Sequence, residues 1–182
     1  HPILGIFMAM LSGSLSGFCT AFLQTTLGIE SILAGIIVNT GLYTINLAVM
    51  GFSSNLSIFG TNTVFTLFAG ENPFLSEWGT LILLLLILLL VAFILRWFFG
   101  TGLGLSIRAT GDSPAMVRAS SINPAFTITV GLCLSNALTG LSGALIAQYN
   151  KASDINLGNG MVTVALASLV IGETLFGKRK LL

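Results

Sequence analysis

Long apolar runs alternate with shorter polar segments along the chain, with residues 3–23, 31–50, 79–99, 124–148 and 161–177 each dominated by Leu, Ile, Val, Ala, Phe and Met. Crossing about 30 Å of hydrocarbon at about 1.5 Å per residue takes roughly 20 mostly apolar residues, and these runs reach or approach that length. The stretch Leu81–Leu95 is apolar at every position and has no amphipathic period, which a soluble core helix would show. The pattern predicts an all-α, polytopic transmembrane helix bundle with about five spans. Two connections are long enough to matter. Residues 51–78 form a loop rich in Gly, Ser, Asn and Thr, in which the patch Val64–Phe68 is too short to cross and is expected to lie on or dip into the surface. Residues 100–123 form the sizeable polar segment on the opposite side.

The spans differ in what they carry. The first holds Gly13 and Gly17, a small-xxx-small pair that lets another helix approach closely. The second places Asn39, Tyr43, Asn46 and Met50 at helical spacing on one face, which is therefore polar within the membrane. The third is almost wholly apolar and ends in Arg96-Trp97, an interfacial anchor pair, so it is expected to face lipid. In the fourth, Ser135, Asn136, Thr139, Gly140, Ser142, Gly143 and Gln148 make the most polar and Gly-rich helix, expected to pack inside the bundle or line a cavity. The path of a polar solute is expected between the second and fourth spans, lined by Asn39, Tyr43, Asn46, Asn136 and Gln148. The fifth carries Glu173 shortly before Lys178-Arg179-Lys180. A carboxylate at the bilayer centre costs about 2.5–3.5 kcal/mol, so Glu173 is either a functional intramembrane acid or pairs with that basic cluster at the interface.

Composition agrees: 54% of residues are hydrophobic and 7% charged, outside the soluble globular range. A net charge of +1 says little until the seven Lys and Arg are placed. Counting alternate connections from an outside start, Arg96, Arg108, Arg118, Lys178, Arg179 and Lys180 fall on one side and Lys151 on the other, which makes the first side cytoplasmic. Cys19 and Cys133 both fall within spans, where they pack as small apolar residues and indicate neither a disulfide framework nor a metal site. The chain opens at His1 directly into a span with no basic n-region, so no signal peptide is expected, and an odd number of crossings suits a piece of a larger membrane protein.

Within 100–123, Gly100, Gly102 and Gly104 are expected to break any helix. Asp112 or Ser113 followed by Pro114 predicts a capped short helix near 114–121, and Asn123-Pro124 starts the fourth span.

Two motifs imitate enzymes. Gly172 to Lys178 has the spacing of a phosphate-binding loop, but Arg179 stands where Ser or Thr must hold Mg²⁺, and no strand precedes it. Gly140-Leu141-Ser142-Gly143 resembles the nucleophile motif of rhomboid-type intramembrane proteases, yet the only histidine is His1 and no general base completes a dyad. No catalytic residue, cofactor, metal or nucleic-acid partner is expected, and any ATP must be handled by another chain.

Arg108-Ala109-Thr110-Gly111-Asp112-Ser113-Pro114, the helix after it and Ser121-Ile122-Asn123 resemble the cytoplasmic loop of the permease subunits of ABC importers of the branched-chain amino acid and ribose type, which show Asn where Ser113 stands and Gly where Ser121 stands. The similarity continues through Leu134–Tyr149 and Val170–Lys178, and Gly41–Leu47 with Met50-Gly51 looks like a subgroup associated with amino-acid uptake, aromatic amino acids included. The resemblance implies a multi-pass subunit of the bacterial cytoplasmic (inner) membrane. It would pair with a second permease copy as a homodimer, bind cytoplasmic ATPase subunits and receive an amino acid from an extracytoplasmic solute-binding protein. Arg108, Asp112, Pro114 and Arg118 would then belong to the ATPase-coupling loop. The rival is an ion- or proton-coupled secondary transporter, for which Glu173 is the intramembrane candidate.

Overall fold

The computed structural model describes residues 1–69, 73–158 and 160–176, with the side chains of 69, 73–77, 162, 173, 175 and 176 also outside the description. Eight helices and two short strands follow in order: α1 (Pro2–Thr26), α2 (Ser31–Val49), β1 (Asn55–Ser57), α3 (Val64–Ala69), α4 (Pro73–Phe99), α5 (Gly102–Asp112), α6 (Pro114–Ala119), α7 (Pro124–Asn150), β2 (Ala152–Asp154) and α8 (Met161–Phe176). Four helices are long and apolar enough to cross a membrane: α1, α2, α4 over Trp78–Phe99, and α7. The fifth expected span, 161–177, corresponds to α8, described over the 16 residues Met161–Phe176. Lys178, Arg179 and Lys180 lie outside the described residues.

The surface is that of a membrane protein. A water-soluble monomer of 19.1 kDa exposes about 8,400 Å² by the usual scaling with mass. This chain exposes 13013 Å². Among the described residues the buried apolar side chains are Ala21, Ala34, Leu83, Val117 and Leu145, whereas Leu88, Leu89, Phe93 and Trp97 of α4 all stand out by more than half. In water that pattern would forfeit about 25 cal/mol for every Å² left uncovered; in hydrocarbon it costs nothing.

Packing centres on α7, which runs antiparallel to α1 along most of its length. A Cβ placed on Gly13 would strike the Asn136 carbonyl, one on Gly17 the Leu132 carbonyl, and one on Gly140 the Ala9 carbonyl. Ala9, Gly13 and Gly17 thus present a small residue every fourth position to Gly140, Asn136 and Leu132, and the two backbones meet directly. The other helices attach less closely. α2 packs on α1, and α4 is held at its two ends by α3 and α5, while its middle is separated from α1 and α7 by an apolar cleft of about 520 Å³.

At one end β1 and β2 pair antiparallel, Leu56 opposite Ser153. These strands were not foreseen, because three residues of mixed polarity carry no alternation to read. Next to them the apolar patch Val64–Phe68 forms the short helix α3, its start fixed by Thr63 and Thr66, each hydroxyl accepting the other residue's backbone N–H at 3.2 and 2.8 Å.

Candidate functional site

The opposite end of the bundle carries the segment 100–123, which is more helical than expected. Gly102 and Gly104 lie inside α5 rather than breaking it. The reason is close packing: a Cβ on Gly104 would strike the Phe98 carbonyl where the chain turns from α4 into α5, so glycine serves there as the residue small enough to fit. Thr101 caps α5, accepting the Gly104 N–H at 3.4 Å and donating to the Phe98 carbonyl at 2.6 Å. Ser113 then accepts the Met116 N–H at 3.4 Å and starts α6 with Pro114 in its first turn, the cap the sequence pointed to.

The inner face of α5 repeats every third residue as Gly104, Ile107 and Thr110. Thr110 is buried, donates to the Ser106 carbonyl at 2.7 Å and meets the Thr127 hydroxyl of α7 at 2.8 Å, while Ile107 Cγ2 lies 3.5 Å from a Cβ placed on Gly131. Thr127 Oγ1 also lies 2.9 Å from the Pro124 carbonyl, but with the Thr110 proton on Ser106 it is the single Thr127 proton that bridges to Thr110. This buried hydroxyl pair fastens α5 to the first turns of α7, and sequence reasoning missed it. Spacing was the available signal, obscured because the three glycines read as punctuation.

α6 ends in two backbone bonds, Ser121 N–H to the Arg118 carbonyl at 3.1 Å and Ile122 N–H to the Val117 carbonyl at 3.2 Å. That is a Schellman turn, and it puts Ser121 at φ +60°, the left-handed region that glycine enters without strain. Asn123 accepts the Ala125 N–H at 3.0 Å and opens α7 with Pro124. On this framework Arg108, Asp112, Pro114 and Arg118 are all exposed, as are Arg96 and Met116, while Val117 is buried. The described cationic side chains at this end are thus Arg96, Arg108 and Arg118, against Lys151 at the strand end.

The residues expected along a solute path do not come together. Asn39, Tyr43 and Asn46 share an exposed face of α2, which packs on α1 and has no comparable interface with α7. The Asn136 amide donates to the Leu132 carbonyl of its own helix at 2.9 Å, and its backbone carbonyl is the surface on which Gly13 rests. Gln148 uses both ends of its amide, Oε1 accepting the Val64 N–H at 2.9 Å and Nε2 donating to the Pro2 carbonyl at 3.1 Å. It ties the starts of α1 and α3 to α7, beside a cleft of about 500 Å³ reached by Asn62 and Thr63. Among the described residues the five thus share no single cavity: Asn39, Tyr43 and Asn46 lie on an open α2 face, and Asn136 and Gln148 belong to the α7 framework. Glu173 belongs to α8, and its side chain is outside the described residues.

Comparison with known proteins adds the following. The family model described as branched-chain amino acid transport system, permease component, matches residues 1–178. A protein of Clostridioides difficile named as a tyrosine transport system permease protein is 35% identical over 177 residues, covering 97% of this chain and 57% of its own length. An uncharacterized protein of Rickettsia prowazekii is 30% identical over 171 residues, covering 94% of this chain and 58% of its own. The chain spans somewhat more than half the length of these curated relatives. No solved structure matches.

Proposed function

Because the chain belongs to the family of branched-chain amino acid transport system permease components, we propose that it forms part of the membrane-spanning subunit of an ATP-driven importer of an amino acid, with ATP hydrolysed on separate cytoplasmic subunits. A second permease copy and an extracytoplasmic solute-binding protein complete the assembly. The relative named for tyrosine transport supports an amino acid as the solute and an aromatic one as the first to try.

The observation that carries the reading is the α5–α6 unit at the basic end. It presents Arg108, Asp112, Pro114 and Arg118 outward, and it is pinned through buried Thr110 and Thr127 to α7, a continuous helix of 27 residues. A push on α5 and α6 by an ATPase would be transmitted along α7 to its partner α1, biasing an inward/outward equilibrium of the kind importers use. On this proposal the exposed α2 face with Asn39, Tyr43 and Asn46 contributes uncharged polar groups to the solute path, replacing part of the solute's hydration. Asn136 and Gln148 act one step back, by holding α1 and α3 in place.

The test is reconstitution of the full-length permease with its ATPase and binding protein in vesicles, reading uptake of labelled tyrosine, phenylalanine and leucine. Uptake of at least one that requires internal ATP is expected. Uptake driven by an ion gradient without ATP would establish the secondary-transporter reading instead, and uptake of none of the three would overturn the assignment of the solute class.

A further inference from the structure

α7 presents three faces. Gly140, Asn136 and Leu132 meet α1, and Leu134, Leu138, Leu141 and Leu145 line the apolar cleft toward α4. The third face, carrying Thr139, Ser142 and Gly143, is covered by neither. It opens on a cavity of about 490 Å³, within the range of small-molecule sites, whose far wall is β2 with Leu157, Gly158 and Met161.

The lining of this cavity has a definite chemistry. Among the described residues Asp154 is its single acid and no basic side chain lines it. One carboxylate oxygen of Asp154 accepts the Asn156 backbone N–H at 2.8 Å, and among the described residues nothing bonds the other. The Thr139 hydroxyl gives its proton to the Ser135 carbonyl at 3.1 Å, which leaves its oxygen free to accept. Ser142 has no hydrogen-bond partner among the described residues, and Leu157 and Met161 supply an apolar wall. A half-buried carboxylate with a spare oxygen, two hydroxyl residues three apart on the same helix face and an adjoining apolar surface make a receptor for a primary ammonium attached to a hydrocarbon group.

We propose that this cavity is an ammonium-selective reception site for the solute at the outer end of the permease, in which Asp154 takes the α-ammonium of the arriving amino acid and Thr139 and Ser142 accept its remaining protons. The proposal rests on the reading of the chain as part of an amino-acid permease. It also names what that reading leaves open, namely that the permease itself rejects a carboxylic acid lacking the amine. Binding remains weak, because one charge and two hydroxyls at an open site do not hold a zwitterion tightly, and weak binding suits a site the solute must leave.

Asp154→Asn is the informative variant, since an Asn side-chain oxygen can still accept the Asn156 N–H while the charge is gone. In vesicles holding the complete transporter, D154N is expected to lower uptake of the best imported of tyrosine, phenylalanine and leucine about tenfold at low solute, as for loss of one charge-assisted hydrogen bond. Stimulation of the ATPase by loaded binding protein should persist. Asp154→Glu should recover most of the uptake, and Thr139→Val and Ser142→Ala should each lose about threefold. The uptake ratio of the amino acid to its desamino analogue should fall in D154N. Wild-type uptake in D154N, or an equal loss of ATPase stimulation and of folded protein in D154N and D154E, would overturn the proposal. Wild-type vesicles that import none of the three amino acids would instead defeat the transport reading on which it stands.

Discussion

α1 and α4 are both long apolar helices, yet they join the bundle in opposite ways. α1 lies backbone to backbone against α7 through Ala9, Gly13 and Gly17, whereas α4, the most apolar helix, touches the rest at its ends and leaves a cleft of about 520 Å³ at its middle. In water the ranking would be reversed, since the greasier helix would be the more deeply buried. In lipid the surroundings are as apolar as leucine, so hydrophobicity inserts a helix but does not pair it; close approach of small residues and interhelical hydrogen bonds do.

The comparison can be broken most forcefully at its tightest point. Gly13→Leu or Gly140→Leu should cost about 3 kcal/mol or more, because the added side chain meets a backbone carbonyl that cannot move aside. The expected outcome is loss of monodisperse protein in fluorescence-detected size exclusion, and normal melting of both variants would sink the packing account. Next comes Gln148→Ala, which strips the Val64 N–H and the Pro2 carbonyl of a shared partner and should cost about 1–2 kcal/mol, read as faster proteolysis of the 51–63 loop.

Thr110→Val keeps the shape of the side chain but leaves the Thr127 hydroxyl without it, for an expected cost of about 1 kcal/mol. Its effect on ATP-driven uptake should exceed its effect on melting if α5 is a lever. Replacing Arg108, Asp112 or Arg118 should weaken copurification of the ATPase with no change in melting, since all three are exposed. Ser121→Gly runs the other way, relieving a left-handed serine and raising stability by up to about 1 kcal/mol. Leu88→Ala on α4 should be the mildest, within about 0.5 kcal/mol, because Leu88 is 67% exposed and faces lipid in both states.

Much of the molecule was legible in the chain because insertion is decided segment by segment. Each span carries its own transfer free energy, so α1, α2 and α7 lie within a few residues of the expected runs while α4 begins earlier, at Pro73, and local caps marked the starts of α6 at Ser113-Pro114 and of α7 at Asn123-Pro124. The substitution of Ser121 for the glycine of similar permeases was visible too, though only the +60° backbone gives it meaning.

The candidate site was less legible. Gly104 looked like a helix breaker until Phe98 was seen to press on it, and the backbone partners of the Asn136 and Gln148 amides could not be read from the chain. Sequence alone determined that this chain lives in a membrane, which end is basic and where α2, α6 and α7 begin, since those properties belong to contiguous residues and their own solvation. Which face of α7 meets α1, which meets a cleft and which opens beside Asp154 was decided by tertiary structure, because it depends on the meeting of segments more than 100 residues apart, such as Ala9 with Gly140 and Pro2 with Gln148.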